Sequence, residues 1–177
     1  IVNIIMKKPL IFKNNLNSIE FASTEKEDEN RDKLLSLLKK NDIPENQLLG
    51  NLGLFLDSKN LSRILLMNHL FKETVGIHGD IFEFGCRWGQ NSALFSALRG
   101  IYEPFNRHKK IVSFDTFKGF PKLHSKDGKH NMMVKGALST VKDYDKYLYK
   151  ILKLHEQLNP LNHIEKFEIV KGDTIKE

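Results

Sequence analysis

Three short apolar segments constrain this chain more than any other feature. Asp80-Ile81-Phe82-Glu83-Phe84, Lys110-Ile111-Val112-Ser113-Phe114 and Phe167-Glu168-Ile169-Val170 all have strand length, and a stretch of helical period fills each interval between them. The first interval predicts a helix from about Gly89 to Leu98, closed by Arg99-Gly100. The second predicts one at about 139–158, with Tyr144, Tyr147, Leu148, Ile151, Leu152, His155 and Leu158 on one face. Strands that alternate with helices pair in parallel, because each helix carries the chain back to the end of the sheet where the previous strand began. A β-α-β-α-β order is therefore expected from residue 80 onward, as a parallel sheet under covering helices.

Upstream, residues 1–24 show no sustained period. The segment 25–40 begins acidic and ends basic, the order that suits a helix dipole, with Leu34, Leu35, Leu37 and Leu38 as its apolar side. Asn41-Asp42-Ile43-Pro44 breaks it. A second helix is expected to start at Asp57 or Ser58, to carry Leu61, Ile64, Leu65 and Phe71, and to end near Gly76. The expected organisation is a helical extension over 1–75 and a sheet domain over 76–177. The fold class is α/β, a Rossmann-like, doubly wound parallel sheet cut after its third strand. The chain starts at Ile1, with Met6 a plausible native start, and no helix follows the third strand. Both ends thus suggest a fragment with an unpaired sheet edge, which is an aggregation risk.

Composition narrows the function. A length of 177 residues with 40% hydrophobic content supports a sizeable core. One cysteine excludes a disulfide framework and a Cys-based zinc site. No apolar run approaches the roughly 20 residues of a membrane span, and the start lacks the order of a signal peptide, so a soluble, cytoplasmic protein is expected. The net charge of +6 is concentrated. Residues 104–135 hold Arg107, Lys109, Lys110, Lys118, Lys122, Lys126, Lys129 and Lys135 against Asp115 and Asp127, while the rest of the chain balances. Such a loop draws in an anionic acceptor or is simply a solvated face. Nucleic acid is disfavoured, because few aromatics interleave with the cations and no recognition module is present. His124 and His130 flank the long loop over 116–138, where one could touch an acceptor, whereas His155 reads as packed. No histidine pair has the spacing of a zinc helix.

The chemistry concentrates at two strand ends. In Glu83-Phe84-Gly85-Cys86-Arg87-Trp88-Gly89-Gln90-Asn91-Ser92, Gly85 permits a sharp turn and close backbone approach, and Gly89 opens a helix whose free N–H groups face a ligand. Glu83 could accept hydrogen bonds from a ligand amine or hydroxyl. Cys86 reads as a small buried filler, and Trp88 either covers a ligand or packs the helix start. Asp115, at the end of the next strand, can grip two ribose hydroxyls. Arg87 stands where a pyrophosphate-binding turn has its second glycine, and the third is missing too, so a dinucleotide is disfavoured. A nucleoside ligand without pyrophosphate, such as S-adenosylmethionine, fits better.

Asp80-Ile81-Phe82-Glu83-Phe84-Gly85-Cys86-Arg87-Trp88-Gly89-Gln90-Asn91 and Phe114-Asp115-Thr116-Phe117-Lys118-Gly119-Phe120-Pro121 together resemble the macrocin O-methyltransferase family, bacterial S-adenosylmethionine-dependent enzymes acting on sugar-bearing natural products and related glycans. Lys171-Gly172-Asp173-Thr174 resembles a third landmark, and the match covers roughly residues 76–177. The resemblance implies that Gly85 and Gly89 line the amino-acid end of the cofactor, with Glu83 beneath. Cys86 and Trp88 belong to the same turn. Asp115 binds the ribose, Thr116 and Phe117 shape the adenosine pocket, and Gly172 and Asp173 lie near the adenine. Arg87-Trp88 and Gln90 depart from the family pattern and bear on loop geometry. The family's divalent metal, Mg2+ by expectation, and its catalytic base belong to later segments, so this chain is expected to carry no metal ligand and its catalytic residues stay unknown. A carnitine CoA-transferase label borne by some relatives has no support in these residues. The expected partner is a small-molecule or glycan acceptor, and a homo-oligomer is left open. A different nucleotide-binding Rossmann enzyme, such as an oxidoreductase, and a non-catalytic binding module remain as alternatives.

Overall fold

The computed structural model describes residues 23–124, 126 and 133–174; the readings that fall on Met6, Asp127, Lys129 and His130 lie outside them. Among the described residues the order is α1 (Glu25–Lys39), α2 (Glu45–Leu48), a 3-10 helix (Leu49–Phe55), α3 (Ser58–Glu73), β1 (Ile81–Phe84), α4 (Gln90–Tyr102), β2 (Ile111–Asp115), α5 (Tyr144–Gln157) and β3 (Phe167–Lys171). Packing divides the chain into two units between Arg63 and Ile64, within α3.

In the first unit, α1 begins with a capping box. The Glu27 N–H donates to the Thr24 hydroxyl, and the Glu27 carboxylate accepts from the Thr24 N–H at 2.6 Å. Arg31 pairs with Asp28 at 2.9 Å and reaches Asp57 at 3.7 Å. Asp57 caps α3 by accepting the Asn60 N–H at 2.7 Å. Of the four leucines expected on the apolar side of α1, Leu34 and Leu38 are half-buried, while Leu35 and Leu37 are exposed.

The second unit holds the sheet. Among the described residues it has three parallel strands in the order β1-β2-β3, with Ile81 opposite Ile111 and Ile111 opposite Phe167. Side chains alternate, so Ile81, Glu83, Ile111, Ser113, Phe167 and Ile169 share one face, the face on which α4 and α5 pack. Phe167 and Ile169 meet Leu148 and Leu152 of α5 there. The other face carries Phe82, Phe84, Val112, Phe114 and Val170. Phe84 stacks on Phe114 at 4.9 Å, and Phe82 meets Phe114 edge-on at 5.7 Å.

Both crossover helices differ from the sequence expectation at their ends. α4 runs past Arg99-Gly100 to Tyr102. Gly100 sits inside the helix because Asn159 occupies the space a Cβ would need, and the Asn159 amide donates to the Ser96 carbonyl at 2.9 Å. α5 is shorter than 139–158, because 139–143 serve the loop before it. The Thr140 N–H donates to the Phe117 carbonyl at 3.2 Å, and Asp143 takes a left-handed conformation (φ 60°) at the helix entry. On α5 the buried positions are Leu148, Leu152 and Glu156, whereas Tyr147, and Leu158 just past the helix end, are exposed.

Glu156 is fully buried between two buried cations. Arg99 Nη2 lies 2.7 Å and Lys166 Nζ 2.6 Å from its carboxylate, and the Lys166 N–H donates to it at 3.1 Å. Arg99 also donates to the Lys166 carbonyl at 2.8 Å. Removing one partner of such a cluster leaves an uncompensated charge out of water. Glu156→Ala is therefore expected to lower unfolding stability by about 3–5 kcal/mol, read from urea titration followed by circular dichroism.

Candidate functional site

Three loops meet beyond the carboxyl ends of the strands and enclose a cleft of ≈ 330 Å³. Its apolar walls are Phe84, Phe114, Phe120, Pro121 and Leu138, and its polar groups include Arg87, Asp115, Thr116, Asp173 and Thr174.

The first loop turns at Gly85 (φ 78°), whose N–H donates to the Phe114 carbonyl at 2.8 Å. Arg87 follows with φ 49°, and its guanidinium lies 5.3 Å from the Trp88 ring. Burial pulls the Arg87 pKa down, against the opposing pull of the Asp115 charge. Gly89 (φ 71°) has no room for a Cβ, since Leu148 fills that place. Glu83 braces this turn from below. Its carboxylate accepts from the Asn91 amide at 2.9 Å and from the Ser92 hydroxyl, and Ser92 in turn bonds Ser113 at 2.7 Å.

The second loop leaves β2 at Asp115. Asp115 Oδ2 accepts the Arg87 N–H at 2.7 Å, and Oδ1 accepts the Phe117 N–H at 2.7 Å. The Thr116 hydroxyl donates to the Gly119 carbonyl at 2.8 Å. Gly119 (φ 72°) is required twice over: its backbone is left-handed, and a Cβ would collide with the carbonyl oxygens of Ala137 and Gly136. The Phe120 N–H donates to the Ala137 carbonyl at 3.1 Å, and the Gly136 N–H to the Phe120 carbonyl at 2.9 Å, which bring the two sides of the loop together. The third loop begins at Gly172, whose N–H donates to the Asp115 carbonyl at 3.1 Å.

Of the residues singled out in the sequence, Gly85, Asp115, Thr116, Gly172 and Asp173 line the cleft. Glu83, Cys86, Trp88, Gly89 and Phe117 stand behind it. Cys86 and Phe117 are buried with Leu148, Leu152 and Phe167, and burial, reinforced by the Asp115 and Glu83 charges, pushes the Cys86 thiol up to about 12. Trp88 packs edge-on against Tyr144 at 4.8 Å, and the Tyr144 hydroxyl donates to the Trp88 carbonyl at 3.1 Å. Sequence reasoning missed Phe84 and Phe114 as wall residues. The strand alternation held the signal, since both fall on the face opposite Glu83 and Ser113.

The basic stretch divides. Lys109 is buried and paired with Glu103, just outside the stretch, and also donates to the Thr74 carbonyl. Lys118, Lys122, Lys126 and Lys135 are exposed on the loop after β2. His155 is half-buried, and burial lowers its pKa. Among the described residues no three or more His, Cys, Asp or Glu come together to hold a metal ion, and no helix is long and apolar enough to cross a membrane.

An open parallel sheet with covering helices and a cleft at the strands' carboxyl ends is a Rossmann-like arrangement, and solved structures described as methyltransferases share it. The chain is similar to the crystal structure of CalS11, described as a calicheamicin methyltransferase, with 34% identity and a TM-score of 0.84 over 89% of this chain and 62% of that one. It is also similar to the apo structure of CalS11, described as TDP-rhamnose 3'-O-methyltransferase, an enzyme in calicheamicin biosynthesis. That match has 31% identity and a TM-score of 0.72 over 86% of this chain and 58% of that one. The chain thus spans less than two thirds of the CalS11 chain. No family model matches the sequence, and no curated protein matches it.

Two outcomes follow from this geometry. Gly119→Ala is expected to destabilise the protein by at least about 1–2 kcal/mol in thermal unfolding, because the left-handed backbone and the carbonyl collision both oppose a Cβ. The Cys86 thiol stays protonated through neutral pH and ionises only as the pH nears 12. At pH 8 a thiol reagent should label it slower than an ordinary thiol by on the order of a hundredfold or more, and unfolding should abolish the difference.

Proposed function

We propose that this chain carries the cofactor-binding part of an S-adenosylmethionine-dependent O-methyltransferase, resembling the macrocin O-methyltransferase family, whose acceptor is a hydroxyl of a sugar-bearing natural product or glycan. The observation that carries the reading is the cleft, largely apolar and lined also by Asp115 and Asp173, set in a fold shared with CalS11. When bound, the cofactor supplies a sulfonium methyl group for in-line transfer to the acceptor oxygen.

The residues of this chain bind and orient. Phe84, Phe114, Pro121 and Leu138 offer apolar walls to a flat base and exclude water from it. Asp115 keeps lone pairs beyond the two N–H groups it already accepts and can take ribose hydroxyls with them. Gly172 and Asp173, which line the cleft, would face the adenine, and Gly85, on the same lining, would let the backbone approach the amino-acid end. Glu83, Cys86, Trp88, Gly89 and Phe117 support these contacts from behind. No residue here is assigned as base or metal ligand. CalS11 is described as acting on TDP-rhamnose, a nucleotide-linked sugar. An anionic acceptor of that class suits this chain too, because the exposed Lys118 lies within the cleft-lining segment 116–121 and the exposed Lys122 directly follows it.

Calorimetric titration tests the reading against its oxidoreductase rival. Saturable binding of S-adenosylmethionine and S-adenosylhomocysteine, with none for NAD, is the expected result. Binding of NAD alone would overturn it.

A further inference from the structure

The Asp115 side chain and backbone touch all three loops of the cleft. Oδ2 takes the N–H of Arg87 in the first loop, Oδ1 that of Phe117 in the second, and the main-chain oxygen that of Gly172 in the third. Both side-chain bonds are 2.7 Å, the length of charge-assisted bonds. Their donors share a further feature. Arg87 (φ 49°) and Phe117 (φ 56°) are non-glycine residues in left-handed conformations, each unfavourable by itself. A conformation of that kind persists only where its surroundings hold it.

We propose that Asp115 is a positioning residue that builds the cleft before any ligand arrives, by holding Arg87 and Phe117 in left-handed turns. Each turn has a consequence at the wall. The turn at Arg87 lets Cys86 sink into the core while Gly85 and Arg87 face the cleft. The turn at Phe117 buries that ring beside Cys86 and returns Gly119, Phe120 and Pro121 to the cleft. One carboxylate thereby sets the separation of the first and second loops. The loss on removing it then extends beyond contacts to a ribose. Only the ligand arm of this inference rests on the methyl-donor reading above.

The test uses the 177-residue chain with Asp115→Ala and Asp115→Asn. In the ligand-free protein, amide hydrogen exchange followed by NMR should show Arg87 and Phe117 protected. Asp115→Ala should speed both by at least about tenfold while the Ile111 amide, bonded to the Lys166 carbonyl, is unchanged. Asp115→Asn keeps one acceptor oxygen and should rescue one of the two. Unchanged exchange at Arg87 and Phe117, or equal acceleration at Ile111, would overturn the inference. In the ligand arm, S-adenosylhomocysteine is compared with its 2',3'-dideoxy analogue, which has no ribose hydroxyls. Asp115→Ala should weaken the analogue by at least about tenfold as well. A variant that loses affinity for S-adenosylhomocysteine alone would show that Asp115 acts only through the ribose and would sink the proposal. If the wild-type chain binds neither ligand, the methyl-donor reading falls, and the exchange data still decide the role of Asp115.

Discussion

A carboxylate with no access to water must be met by positive charge, and Glu156 is met by two cations that are themselves buried. The rest of the sheet unit depends on this cluster. Glu156 lies on α5, Arg99 on α4, and Lys166 just before β3. Arg99 adds bonds to the carbonyls of Lys166 and Lys109, the latter close before β2. The cluster thus joins both crossover helices to the amino ends of two strands. Parallel strands that begin in register also end in register, and their following loops then converge on one place.

At that opposite end the division of labour is different. The residues that line the cleft are few and mostly apolar or backbone. A second set stands behind them and holds them in position. Glu83 bonds the first turn of α4, Cys86 and Phe117 fill the core beneath the loops, Tyr144 ties the start of α5 to the Trp88 carbonyl, and Leu148 closes on Gly89. Glu83, read from the sequence as a group for a ligand amine or hydroxyl, has both oxygens engaged with Asn91 and Ser92. The turn after β1 is held by bonds from helix, strand and loop alike. Electrostatics follow the same logic. Lys109 belongs to the interior with Glu103, so the surface charge near the cleft comes from lysines on the loop after β2.

What the sequence by itself determined was the alternation of strand and helix, the parallel sheet that follows from it, and the two turns that line the cleft. Those features rest on local rules: apolar runs of strand length, glycines where the backbone turns left-handed, and a carboxylate at a strand end. The helix boundaries were legible only approximately. Arg99-Gly100 reads as a helix stop, because glycine commonly follows a helix, yet α4 continues since Asn159, distant in sequence, packs onto Gly100. The buried stripe of α4 is Ser92, Ser96 and Arg99, which no search for apolar periodicity finds. Tertiary structure alone decided these points, because the partners that make a polar residue tolerable in the core arrive from elsewhere in the chain. It also decided which motif residues line the cleft and which support it: side chains in one short turn point to opposite sides, and only the packed neighbours set which side faces the cleft.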